Sequence, residues 1–598
     1  MNPMRKLPEL LAPAGSLDAL YAAIKGGADA VYFGGLTANA RNSAKNFSDE
    51  EISHSVRLLH DNGRSAYITL NILHTDRELP DVLRFAEYCY INGADAFIIQ
   101  DIGLSRVIKK YFPDIKIHAS TQAAGHNLYS ARQFHELGFS RMVIARESDR
   151  ENLKNLINNS PIEIEMFVHG ALCSSHSGRC FLSAALGNTR SANRGMCAQT
   201  CRLKYNGGYI LSLKDQCLAG HIKEITELSP ASLKIEGRMK PPEYVYNICK
   251  IYRACLDENR NAEKSEIDFL AGIFSRQGFT DGYFTRSLGT NMYGIRTEEN
   301  KTESKKHAKD FEKINIVIPK NIYNHDINPK TVFTHDIKNI KNIKINPKLC
   351  LIFNSHEQLT QVAEYIKAED IVKKIYKIFV PIETKPRIPD ELINITGVRL
   401  PYVIFDSELK QVEQNLKEYK NIGIKHALVD NIGHIDIALR ENLELFGNFG
   451  LNITNSYTLD EYAKMGFKDI ILSPELNFAQ IRDINKSVNC GITAYGRTHV
   501  MISENNIINS EHSNNFYIID KTGAKFFVRE DFKNRNIIYN SVPVYLADKK
   551  DLYKNLGLFF VSLNFTDERS ENIKKIIADY ALNKDNIKPP EKFTRGYK

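Results

Sequence analysis

A chain of 598 residues exceeds one ordinary domain, so two or more are expected. Its hydrophobic content, 43%, is that of a globular protein, and the lack of any apolar run of about 18 residues excludes a membrane span. A net charge of +8 and a pI near 8.7 admit an RNA partner without requiring one. The opening segment MNPMRKLPELLAPAG has a proline inside its only apolar run and no signal-peptide core, so a cytoplasmic location is expected. Thiols stay reduced in that compartment. Clustered cysteines then point to metal or redox chemistry rather than to disulfides.

In chain order, ELLAPAG at 9–15 reads as a short strand closed by a Pro/Gly turn. Ser16 caps a helix over 17–24, and Gly26-Gly27 ends it. The next strand, 30–33, is closed by Gly34-Gly35, read as a tight turn because the full Gly-x-Gly-x-x-Gly pattern is absent. The unit repeats, with strands at 65–71, 96–100, 116–120, 141–146, 163–169 and 232–236. Helical patterns at 50–61, 79–91, 128–137 and 148–157 fall between them. Short apolar strands alternating with amphipathic helices are parallel strands covered on one face. Eight of them predict a TIM-type (β/α)8 barrel over 1–256, with an open doubly wound sheet as the competitor. The barrel is preferred because polar residues follow so many strand ends, and a barrel gathers those ends on one rim. The rim candidates are Asn71, Gln100, Asp101, Ser120, Gln122, Arg146, Glu147, His169, Glu236 and Arg238.

The region 257–347 is charged and turn-rich, contains GFTDGYF, and reads as a linker or small β module. Its lysine-rich stretch 301–313 is either a solvated linker or an RNA contact. The remainder, 348–598, repeats the first half with an offset near 330 residues. FIIQDIGLSRVIKKYF has its counterpart in ALVDNIGHIDIALREN, HELGF in AKMGF, and VHG in AYG. A second, degenerate barrel-like α/β domain is therefore predicted. Where the first copy has cysteines, the second has Arg497-Thr498-His499-Val500-Met501, so no metal loop is expected there. That half is either a docking surface or a buttress for the first.

The loop 165–202 holds four of the ten cysteines, Cys173, Cys180, Cys197 and Cys201, separated by six, sixteen and three residues. Thiolates are soft ligands for zinc and iron–sulfur clusters. A structural zinc site shows two tight cysteine pairs, and only Cys197 and Cys201 form one. Long Gly/Ser-filled gaps suit a larger iron–sulfur cluster better, with zinc as the alternative. Cys217 is a reserve ligand; Cys89, Cys249, Cys255, Cys350 and Cys490 read as buried thiols. Arg179, Arg190, Arg194, Arg202 and Arg238 either clamp a carboxylate or RNA phosphate, or balance a negative cluster. His118 and His169 are either acid/base or base-contacting groups or core histidines, and His169 ranks higher because it runs directly into the loop. Gln122, Asn71 and Asn193 either read a base edge or cap loops.

EMFVHGALCSSHSGRCFLS resembles the signature of the collagenase-like peptidase family thirty-two, of unknown catalytic type. That pattern runs Glu-x-Phe-x-x-Gly-Ala-Leu-Cys, four residues, then Gly-x-Cys-x-aliphatic-Ser. Glu165, Phe167, Gly170, Cys173, Gly178, Cys180 and Ser183 fill its fixed positions. The similarity continues through RSANRGMCAQTCR, SLKDQC, SLKIEGRMK, ELLAPAGSLDAL and IHASTQ, hence across the first half. The resemblance implies a barrel fold and, in the better understood branches, a 4Fe–4S cluster. Those branches include RNA hydroxylases that make 5-hydroxycytidine in 23S ribosomal RNA or 5-hydroxyuridine in tRNA, both drawing on prephenate. Another branch hydroxylates the ubiquinone ring and alters the last cysteine pair. HGALC, RSANRG and the paired Cys197 and Cys201 place the chain nearest the ribosomal RNA branch.

Proteolysis, which the family name suggests, needs an activated nucleophile. A dyad of Cys173 with His169 or His176 would leave three cysteines without a role, and no His-Glu-x-x-His motif occurs. The expected function is iron–sulfur-dependent 5-hydroxylation of a pyrimidine in unpaired rRNA or tRNA. Cys173, Cys180, Cys197 and Cys201 would bind the cluster, and His169, Arg179, Arg194, Arg238 and His118 would act on substrate. A peptidase and a non-catalytic RNA- or partner-binding scaffold are the alternatives. No membrane partner is expected, and the sequence leaves the oligomeric state open.

Overall fold

The computed structural model describes residues 7–41, 45–187, 190–306, 332–333, 345–505, 507, 516–582 and 587–596. Two closed parallel barrels of eight strands stand in tandem, so the open-sheet alternative falls. The first is built from β1 (Glu9–Pro13), β2 (Ala30–Phe33), β3 (Ser65–Leu70), β4 (Ala96–Ile99), β5 (Lys116–Ala119), β6 (Arg141–Val143) and β7 (Glu163–Ala171). After a short β8 (Asp215–Cys217), β9 (Ser232–Ile235) pairs with both β1 and β7 and closes the ring. β8 runs antiparallel to the end of β7, and β10 (Phe279–Thr280) adds to β8, raising one side of the barrel's rim.

The second barrel comprises β11 (Lys348–Ile352), β12 (Ile375–Pro381), β13 (Thr396–Arg399), β14 (His426–Val429), β15 (Glu444–Gly447), β16 (Asp469–Ile471) and β17 (Asn489–Gly496). Before the closing strand come β18 (His499–Ser503), β19 (Phe516–Ile519), β20 (Lys525–Glu530) and β21 (Asn536–Tyr539), which form a separate four-stranded antiparallel sheet. β22 (Val544–Tyr545) pairs antiparallel with β17, and β23 (Phe560–Asn564) closes the barrel between β17 and β11. The inserted sheet occupies the place that the cysteine loop takes in the first copy. Among the described residues no helix is long and apolar enough to cross a membrane.

The interiors differ in kind. Arg141, inside the first barrel, binds Glu9 at 2.7 Å, Glu163 at 2.7 Å and Glu165 at 3.2 Å, and Lys234 meets Glu165 at 2.6 Å. The Tyr67 hydroxyl donates to Glu9 at 2.6 Å. In the second barrel Cys350, Phe379, Leu428, Phe446, Ile471 and Phe560 form an apolar fill. A charged interior must be hydrogen-bonded throughout; an apolar one needs only close packing.

The sequence repeat reappears as a reciprocal contact between the two rims. Asp76 of the first barrel accepts from the Ser456 backbone N–H at 2.9 Å, at the start of the helix Ser456–Lys464. Asp406, 330 positions later, accepts from the Leu128 N–H at 3.0 Å, at the start of the helix Leu128–Glu136. Each carboxylate thus sits at the positive end of the other barrel's helix. The capping asparagines follow suit: Asn127 donates to the Ile404 carbonyl at 2.9 Å, and Asn455 to the His74 carbonyl at 2.9 Å. The C-terminal rims therefore face each other.

The cysteine loop lies between them. The His176 and Phe181 N–H groups donate to the Ile502 and Val500 carbonyls of β18 at 2.6 and 2.9 Å. Phe181 and Leu182 join the second barrel's apolar fill, with Phe181 edge-on to Phe449 at 5.7 Å. The mouth of the second barrel is thus packed with side chains of the cysteine loop. The segment 257–347 is more than a linker. After the helix Lys264–Ile273 it sends Phe274, Arg276 and Arg296 to the first barrel's mouth. Lys301 and Lys306 lie on the helix Glu298–Lys306 and pair with Glu298 and Glu303, while 307–313 lie outside the described residues.

Candidate functional site

A cavity of about 1240 Å³ opens at the C-terminal mouth of the first barrel. All four cysteines of the loop line it, together with residues from β2, β3, β7, β9 and the segment after 273. Strand β7 delivers the loop through Gly170, at φ +107°, where a Cβ would stand 2.4 Å from the Glu236 carbonyl. Only glycine lets the chain leave the barrel so close to β9.

The thiols sense one another. Burial, then Cys201 and Cys197, pushes Cys173 up to about 12. Burial, then Cys173 and Cys197, pushes Cys180 well up, and burial followed by Cys197 raises Cys201 against the pull of Arg202. Without a cation among them these groups hold their protons; a metal centre reverses that balance. Cys197 is exposed and accepts the Gln199 N–H at 3.3 Å and the Ser183 hydroxyl at 3.9 Å. Such donors to sulfur are what tune a thiolate-bound cluster. Among the described residues no three His, Cys, Asp or Glu converge closely enough to hold a single metal ion. The four thiols are soft donors that share one cavity, a chemistry that fits an iron–sulfur cluster or zinc. Cys217 lies off the cavity, 3.9 Å from the Tyr252 hydroxyl, and is not a reserve ligand as placed.

Beside the sulfurs the lining is strongly cationic: nine Lys and Arg side chains against two carboxylates, Glu236 and Glu243. Glu236 bridges Arg41 at 2.9 Å and Arg146 at 3.4 Å. Burial pushes its carboxyl up, but Arg41 and Arg146 hold it down at about 2. Arg238, 4% exposed, donates to Thr69 Oγ1 and Asn39 Oδ1, both at 3.0 Å, and among the described residues no carboxylate lies within ion-pair distance of it. Burial, then Arg41, lowers its guanidinium to about 10. Gly34 makes room for it, since a Cβ there would lie 2.8 Å from Arg238 Nη1. The glycine read as a plain turn marker is thus also a clearance for a cation. Lys240 lies over the Phe274 ring, and burial lowers its ammonium to about 7.

Of the residues proposed to act on substrate, only Arg238 lines the cavity. His118 sits deeper in the barrel against Tyr67, with burial, Arg141 and Lys234 pushing its pKa well down. His169 falls beside an irregularity in the β7–β9 pairing and turns to Tyr252 and Phe279; burial lowers it to about 3. Arg179 reaches into the second barrel and donates to the Gly450 carbonyl at 2.6 Å. Arg194 pairs with Glu78 and donates to the Leu73 carbonyl at 3.3 Å. The contacts of these four lie away from the cavity. Gln100 and Asp101 likewise bond Gln122 and Asn455, and Glu147 bonds Ser177. The rim residues Asn71, Ser120, Gln122, Arg146 and Glu236 do line the cavity, as do Asn193, Arg190 and Arg202.

Sequence reasoning missed Arg41, Lys234, Lys240, Arg276 and Arg296. GRMK showed Lys240 beside Arg238, but nothing local linked Arg276 and Arg296 to a barrel that had already closed. Neither His169 nor His176 lines the cavity with Cys173; His176 packs on His126 and Phe405. Among the described residues no histidine lines the cavity beside Cys173.

A tandem (β/α)8 protein with a cysteine-lined, cationic mouth is the class that fold and site define. The chain belongs to peptidase family U32, whose model matches residues 15–293 and 397–515. It is 33% identical over 362 residues to an uncharacterized protease of Methanocaldococcus jannaschii, covering 56% of this chain and 86% of that one. It is 37% identical over 260 residues to the 23S rRNA 5-hydroxycytidine C2501 synthase of Escherichia coli, covering 42% of this chain and 39% of that enzyme. It is 34% identical over 315 residues to tRNA hydroxylation protein P1 of Bacillus subtilis, covering 48% and 74%.

Proposed function

We propose that this protein is an enzyme that hydroxylates C5 of a pyrimidine in ribosomal RNA or tRNA, with an iron–sulfur cluster as cofactor and prephenate as co-substrate. The observation that carries the reading is the cavity itself: four cysteines and nine basic side chains face one space with only two carboxylates. Relatives named for rRNA and tRNA hydroxylation support it. Cys173, Cys180, Cys197 and Cys201 would hold a 4Fe–4S cluster, which supplies one-electron chemistry when bound.

The chain's own groups do the rest. Arg238, which makes no ion pair among the described residues, takes a carboxylate. Glu236 fixes Arg41 and Arg146, so their remaining donors stay aimed at the same space. Lys240, poised near 7, holds or releases a proton at Nζ. Phe167, Tyr244 and Phe274 keep water from the inner wall. The base must come from an unpaired segment, because a stacked one cannot enter. Mass spectrometry of nucleosides from rRNA and tRNA of a strain lacking this chain is expected to show one hydroxypyrimidine lost and restored by complementation. Unchanged hydroxypyrimidine levels in both RNAs would refute the reading.

A further inference from the structure

Tyr209 lines the cavity yet stands 36% exposed. An exposed aromatic at a cationic mouth matters more when its mount is rigid, and this one is. Tyr205, 1% exposed, pairs with Gly208 and packs edge-on to Phe526 of β20. Asn206 and Gly207 turn the hairpin with φ of 50° and 79°, the left-handed pair of a tight hairpin turn. The Asn206 N–H donates to the Ile519 carbonyl, and its side-chain oxygen accepts from the Ile519 N–H, both at 2.9 Å. The second barrel's inserted sheet thus grips the hairpin beside the ring. Lys204 Nζ lies 5.5 Å from the Tyr209 ring centroid, and Met239, 51% exposed, lines the same cavity.

We propose that Tyr209 is a stacking platform for a nucleobase flanking the one that enters the cavity, with Lys204 contacting the adjoining phosphate. The occupant is single-stranded RNA. The lining's nine cations against two carboxylates complement a polyanion. A free aromatic face takes any unstacked base and no paired one. A ring carried on a hairpin that is already held loses less conformational freedom on contact than one on a loose loop. The inference rests on the RNA reading above and adds a site to it, placed on a hairpin that the second barrel holds.

The test uses the full chain, purified without oxygen, and a labelled pyrimidine-rich RNA read by fluorescence anisotropy. Tyr209→Ala is expected to weaken single-strand binding by about 5- to 100-fold, Tyr209→Trp to keep it, and Lys204→Ala to reduce the salt slope by about 0.7. Thermal unfolding of the variants should match the parent, because both side chains are exposed. Equal affinity of Tyr209→Ala and parent overturns the platform alone, and so does duplex bound as tightly as single strand. A parent that ignores RNA overturns both this inference and the RNA reading. A parent that instead binds an unstructured peptide through Tyr209 replaces the RNA occupant.

Discussion

Glu165→Gln is expected to destabilise the first barrel by about 3–5 kcal/mol, the usual loss when one partner of a buried ion network is removed. Glu165 is fully buried and accepts from Lys234 Nζ at 2.6 Å and Arg141 Nη1 at 3.2 Å. Burial pushes its carboxyl up, yet Lys234 and then Arg141 hold it below the ordinary range. Glutamine keeps the shape and loses the charge, so Lys234, 4% exposed, remains buried without its ion-pair partner. Glu165→Gln combined with Lys234→Met should recover a large part of the loss, because two buried charges leave together. Chemical unfolding reads both. A single variant within about 1 kcal/mol of the parent would show that the network does not hold the barrel. The first fixed position of the family signature is therefore assigned to the core rather than to chemistry.

Arg238→Met is expected to act in the opposite sense, lowering hydroxylation on the order of 10²- to 10³-fold while leaving stability unchanged or improved. Arg238 is buried, its hydrogen bonds go to neutral oxygens, and burial, then Arg41, lowers its guanidinium to about 10. The fold would be better served by an apolar side chain of that length. Retaining a cation there makes sense if a ligand anion completes it. Arg238→Lys should recover little, since one ammonium cannot reproduce the fork that spans Thr69 and Asn39. A methionine variant that unfolds more easily and turns over normally would assign Arg238 to structure instead.

Much of the fold is legible in the sequence because strand and helix periods are local. β1 through β7 and β9 fall where apolar runs alternate with helical patterns, and the offset near 330 residues reappears as the Asp76 and Asp406 caps. The cysteines are legible because soft ligands crowd one glycine-rich loop. The histidines and two of the arginines are not. Side-chain direction at a strand end depends on register, and the irregularity beside His169 turns that ring toward the helix Pro242–Asp257. Arg179 and Arg194 stand among the cysteines in sequence, but their partners, Gly450 and Glu78, belong to other elements. Arg276 and Arg296 reach the cavity from the region read as a linker, through a fold-back that no local pattern announces.

The central claim is that Cys173, Cys180, Cys197 and Cys201 converge on one iron–sulfur centre. Iron and acid-labile sulfide, measured with the visible spectrum on chain purified without oxygen, test it most directly. About four iron and four sulfide per chain with a broad band near roughly 400 nm are predicted for the parent, and neither for the variant with all four cysteines changed to serine. A cluster that survives in that variant, or a parent that carries zinc and no iron after anaerobic reconstitution, would contradict the account.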